Sequence, residues 1–134
     1  MNFLKMIPVV SLALLISGCS SSPEDAVHSM FDALADGNIE KLRTNATEST
    51  AGLLTMAAMM QCKVDKKDYS DENELASACL ENVFGDVDID SVEITNETET
   101  TANATVTSKK DSKTSTQKLK LVKRDGQWKV HMSK

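Results

Sequence analysis

The feature that most constrains this chain is a change of hydrophobic period at Asp86. Before it, apolar residues recur every three or four positions; after it, they recur every second position. The first spacing lines up side chains on one stripe of a helix, and the second lines them up on one face of a strand. Helices first and a run of antiparallel strands after them predict an α+β domain, with the helices packed on one sheet face.

The helical half carries its own punctuation. Ser22-Pro23-Glu24-Asp25 opens a helix with a hydroxyl for the free amides, Pro at the first position and acids at the positive end of the dipole. Ala26, Val27, Met30, Phe31 and Leu34 form its apolar stripe, and Asp36-Gly37 stops it. Asn38 caps a short second helix, Ile39 to Ala46, with Ile39, Leu42 and Ala46 inward. In Thr50 to Val64, residues Leu53, Leu54, Met56, Met59, Met60 and Cys62 point in nearly every direction, which predicts a helix buried on most sides. Asp65 to Tyr69 reads as a charged loop. Asp71 and Glu74 then form a capping box for a helix bearing Leu75, Cys79, Leu80 and Phe84, ended by Gly85.

In the strand half, Val87 and Ile89 alternate on one phase while Val92 and Ile94 continue on the other, so a bulge is expected near Asp90-Ser91. Asn96 to Thr100 and Lys109 to Lys113 are turns. Between and after them, Ala102, Ala104 and Val106, then Leu119 and Leu121, point inward. Asp125-Gly126 suits a two-residue primed hairpin turn. Trp128, Val130 and Met132 share one face beyond it, leaving Lys129 and His131 to face solvent, as does His28 on the first helix.

The N-terminus is built like a secretory signal: Lys5, an apolar run from Met6, then Ser17 and Gly18 before Cys19. The 13 residues from Met6 to Gly18 fall short of the roughly 20 that span a bilayer. Leu15-Ile16-Ser17-Gly18-Cys19 resembles the lipobox of bacterial lipoproteins. That resemblance implies a signal peptide over residues 1–18, lipid on Cys19, a tether over residues 19–22 and a single domain over residues 23–134. Ser20, where inner-membrane retention favours Asp, implies anchorage at the outer membrane, facing the periplasm. Membrane lipid, joined through acylated Cys19, is then one partner. With Cys19 acylated, Cys62 and Cys79 remain as an even pair in a compartment that permits disulfides, and they are expected to be joined.

Loss of Lys5 with the signal leaves 14 basic against 20 acidic residues. An acidic domain argues against nucleic acid, which needs a clustered basic face. Pro23-Glu24-Asp25-Ala26-Val27, Ala35-Asp36-Gly37-Asn38-Ile39 and the terminal Leu119-Lys120-Leu121 through Trp128-Lys129-Val130 resemble an uncharacterised lipoprotein family. Its members are similar to nuclear transport factor two, which implies a strongly curved sheet wrapped around a long first helix.

Three functions follow for such a chain. A lipid-anchored, non-catalytic binding or interaction module needs no convergent polar set, and none is evident; its pocket would lie on the concave sheet face, with Trp128 and Met132 as candidate wall residues for a small apolar ligand or an envelope protein. An isomerase or hydratase using the cone needs an acid or base beside an apolar pocket and a donor for the developing oxyanion, yet Tyr69 sits in a charged loop and both histidines read as outward. Copper handling draws on Met56, Met59, Met60 and Cys62, soft ligands that select Cu(I), although methionine more often fills core gaps. The first reading is preferred: no catalytic residue, no metal site and no cofactor.

Overall fold

A computed structural model describes residues 22–132; the expected signal peptide, the lipobox and Cys19 lie outside the described residues. Four helices come first: α1 Pro23–Asp36, α2 Ile39–Asn45, α3 Glu48–Gln61 and α4 Glu72–Phe84. Four strands follow: β1 Asp88–Thr95, β2 Thr101–Lys110, β3 Lys113–Arg124 and β4 Gln127–His131. They pair in sequence order as an antiparallel meander. The α+β class and the helices-then-strands order are those expected from the change of period.

Local chemistry sets the ends of α1. Ser22 Oγ accepts from Asp25 N at 3.1 Å, and Asp25 Oδ2 accepts from Ser22 N at 3.5 Å, so two orphan amides are satisfied reciprocally. At the other end Gly37 adopts φ 68°, and Asn38 N and Gly37 N return to the carbonyls of Ala33 and Leu34. Gly37 is also a close approach: a Cβ there would strike the backbone of Ser77 on α4, whose hydroxyl donates to the Gly37 carbonyl. The capping box expected at α4 does not form. Asp71 Oδ1 accepts from Asn73 N at 2.8 Å and the Asp71 carbonyl takes Glu74 N, so the cap closes one residue earlier than Glu74 could reach.

In the sheet, the register passes from Ile89 opposite Ser108 directly to Ser91 opposite Thr107, leaving Asp90 as the bulged residue. That bulge restores Val92 and Ile94 to the face that Ile89 occupies. Asp125 and Gly126, at φ 53° and 77°, make the expected primed turn. The β2–β3 connection is tighter than the sequence suggests, because only Asp111 and Ser112 leave the ladder, both at positive φ.

The core lies between the helices and one sheet face: Val27, Met30, Leu34, Leu42, Leu80, Val106, Leu121, Trp128 and Val130 are buried there. Helix α1 touches β1, β2 and β4, crossing the sheet, and the small side chains of Ala102 and Ala104 on β2 let it come close. Helix α4 packs on α1. Helix α3 packs chiefly on α4 and meets the sheet at β4.

This layering overturns one expectation. Helix α3 is apolar on most sides, yet only Thr50, Ala51 and Ala58 are buried. Met60 is 81% exposed, Met56 61% and Leu53 38%. With α1 lying across the sheet and α4 stacked on α1, α3 has one broad neighbour and turns its remaining apolar sides outward.

Two lysines of the sheet tie it to helix ends. Lys129 Nζ donates to the carbonyls of Arg43 and Thr44 at 2.8 and 3.2 Å, at the C-terminus of α2. Lys110 Nζ donates to Val83 O at 2.7 Å, at the C-terminus of α4. Each cation meets the negative end of a helix dipole and satisfies carbonyls that the helix leaves free. Lys129, expected in solvent, is half-buried for this reason.

Candidate functional site

A groove of about 830 Å³ runs along the outer side of α3. Its apolar lining comes from Met56, Met59 and Met60, with Ala51, and from Ile39 and Ala76 on the flanking helices. Arg43, Glu48, Lys66 and Asn73, all exposed, supply its polar groups. Methionine has three rotatable bonds and a polarisable sulfur, so such a wall can reshape around different ligands. The volume falls within the roughly 300–1,000 Å³ typical of small-molecule pockets.

Gly52 lies in the second turn of α3 and lines this groove, and a Cβ built there would meet nothing within 4 Å. Glycine inside a helix costs roughly 0.5–1 kcal/mol relative to alanine. No close packing of this chain asks for that cost.

The disulfide fixes one end of the groove helix. Cys62 caps the C-terminus of α3, Cys79 is buried in α4, and the structure pairs them with Cα atoms 5.1 Å apart. The Cys62 thiol is thereby spent, so the copper-type set of Met56, Met59, Met60 and Cys62 loses its thiolate. Among the described residues no group of three or more His, Cys, Asp or Glu side chains could hold a metal ion.

The other end of α3 is held by a buried hydroxyl chain. Thr47 Oγ1 bonds to Thr50 Oγ1 at 2.8 Å and to His131 Nδ1 at 2.9 Å, while Met132 N donates to Thr50 Oγ1 at 2.7 Å. Thr47 N donates to Val130 O at 2.9 Å beside an isolated bridge between Ala46 and Val130. His131 is therefore half-buried and bonded, not solvated as its alternation suggests. Its partner is a nearly fully buried hydroxyl already engaged with Thr50, and His131 does not line the groove. The set is a clasp that docks α3 onto β4. His28 is exposed on α1, 3.7 Å from Glu24 Oε2.

Trp128 and Met132, the wall residues expected from sequence, both lie with the core. Trp128 is 4% exposed in the core, with Lys123 Nζ 5.7 Å from its ring centroid, and Met132 packs partly buried against that core. Neither lines the groove on α3, the 520 Å³ depression on the outer sheet face or the 300 Å³ one beside Arg124. The groove was missed because a Met-rich helix reads as core; the signal available was Gly52, a helix-interior glycine inside an apolar run.

Fold and groove together define a small α+β domain with an adaptable apolar trough on its helical side. The chain belongs to the family described as Domain of unknown function (DUF4878), whose pattern matches residues 17–131. No curated protein sequence matches it. It is similar to a solved structure, that of a candidate NTF2-like transpeptidase from Campylobacter jejuni, with 16% identity and a TM-score of 0.47, covering 84% of this chain and all of the other. No helix among the described residues is long and apolar enough to cross a membrane.

Proposed function

We propose that this protein is a lipid-anchored lipoprotein of the bacterial envelope, held at the outer membrane by acylated Cys19 and facing the periplasm. Its domain, residues 23–134, acts as a non-catalytic binding module through the groove on α3. The observation that carries this reading is the pair of exposed methionines, Met56 and Met60, walling an open trough in a chain this small. Solvent-facing apolar surface gathered in one place marks binding sites. The titratable groups of the groove, Arg43, Glu48 and Lys66, are all exposed, which suits holding a polar end of a ligand better than shuttling protons inside a dry pocket.

The anchor suits this arrangement. Cys19 stands three residues before the Ser22 cap, a reach of about 10 Å. Helix α1, 14 residues long, then covers about 21 Å. Ile39 and Ala76 of the groove adjoin Gly37 and Ser77 at the far end of α1. One end of the trough thus lies beside the C-terminus of α1, opposite the helix end that the tether enters.

The test is fatty-acid labelling with membrane fractionation. The wild-type chain should incorporate labelled palmitate and sediment with the outer membrane. Cys19→Ser should stay at precursor size and unlabelled; normal labelling of that variant would refute the anchor.

A further inference from the structure

We propose that the groove on α3 takes a single-chain anionic amphiphile, with the acyl chain lying along the methionines and the headgroup held at Arg43. The inference rests on the binding-module reading and names its ligand class.

Three independent observations converge. Gly52 leaves an open slot in the groove wall that packing within this chain does not require. A backbone without a side chain lets a slender alkyl chain lie against the helix between Met56 on one side and Ala51 on the other. The methionine wall supplies the adaptable apolar contact that an unbranched chain needs, since its conformers vary and a rigid wall would fit only one.

The third observation is charge. The protein is acidic, with net charge −5, yet the trough is not. At Arg43 and Glu48 it adjoins a second depression of about 300 Å³, which adds Arg124, Asp125 and Lys129. Across the two, Arg43, Lys66, Arg124 and Lys129 outnumber Glu48 and Asp125. Among the described residues the one ion pair is His28 with Glu24, so Arg43, Lys66 and Arg124 carry no carboxylate partner. An apolar lane with the unpaired guanidinium of Arg43 where it adjoins the second depression, and that of Arg124 within that depression, selects a tail with a carboxylate or phosphate at one end. Lys129 is already committed to the carbonyls of α2, which leaves Arg43 and Arg124 to hold the head.

The experiment uses the full chain with methyl-13C methionine, in phosphatidylcholine nanodiscs, with empty discs as the partition control. Dodecanoate should shift the Met56, Met59 and Met60 methyls saturably and leave buried Met30 unmoved. Arg43→Gln combined with Arg124→Gln should weaken it by about tenfold or more, the loss of a charge-assisted contact. Gly52→Leu should abolish the response while thermal stability is kept, because the new side chain enters open space. An equal response to neutral dodecyl maltoside would overturn anionic selection while leaving the groove reading intact. A response to inorganic phosphate that no alkyl chain improves would overturn the amphiphile. A response to an acidic helical peptide but not to dodecanoate would replace it with a protein partner. Concentration-dependent shifts without ligand would assign the trough to a second copy. Silence of the three methyls toward every probe would defeat the binding-module reading as well.

Discussion

Removing the Cys62–Cys79 bridge should loosen one helix and weaken the whole domain by a calculable amount. The residues are 17 apart in sequence. In the chain-entropy model, closing such a loop lowers the entropy of the unfolded chain by about 10.5 cal/mol/K, or about 3 kcal/mol at 25 °C. With an unfolding entropy of about 2.1 cal/mol/K per residue over about 110 residues, that corresponds to a fall in Tm of about 13 °C. Alanine is the right replacement, because Cys79 is buried and serine would bury an unpaired hydroxyl. Urea unfolding of Cys62→Ala/Cys79→Ala against the oxidised wild type measures the loss. The geometry adds a local expectation: α3 leans on α4 more than on any other element, so amide exchange should rise first in Glu48–Gln61. A double variant within about 1 kcal/mol of the oxidised protein, at unchanged m-value, would refute the argument, as would faster exchange spread evenly over all four helices.

Thr50→Val keeps the shape of a fully buried side chain but strands Met132 N and leaves the Thr47 hydroxyl with His131 alone of its two close partners, and should cost about 1–3 kcal/mol by urea unfolding. Ser112→Gly, at φ 68° in the β2–β3 turn, should raise stability by up to about 1 kcal/mol, read as a higher Tm, because glycine adopts that conformation without a Cβ penalty. Gly37→Ala should do the reverse and more, since it combines positive φ with a collision against Ser77; a drop in Tm of several degrees at unchanged far-UV circular dichroism is the expected readout.

Much of the fold is legible in the sequence because local rules determine it. The Ser22 cap, the Gly37 stop, the Asp90 bulge and the Asp125-Gly126 turn each depend on a few neighbouring residues. Helix α3 is where that legibility ends. Its sequence states how much apolar surface it carries but not how many neighbours are left to cover it, and α1 had already taken the sheet face while α4 offered α3 only one side. His131 fails for the same reason: alternation gives the face on which a side chain stands, while Thr47, which meets it 84 positions away, is brought there only by the docking of α3.

The lysines that reach from the sheet to the helix ends bear on the order in which this chain can assemble. The last carbonyls of α2 and α4 find their cations only at Lys129 and Lys110, residues made well after both helices. The helical half thus waits for the strand half, and a chain cut before β4 would keep its apolar stripes yet lack the Lys129 contact to α2 and the Val130 and Met132 contacts to the start of α3. Such a fragment should keep β1–β3 but leave Leu42 uncovered where β4 packs on α2, a target for proteases and not a smaller stable domain.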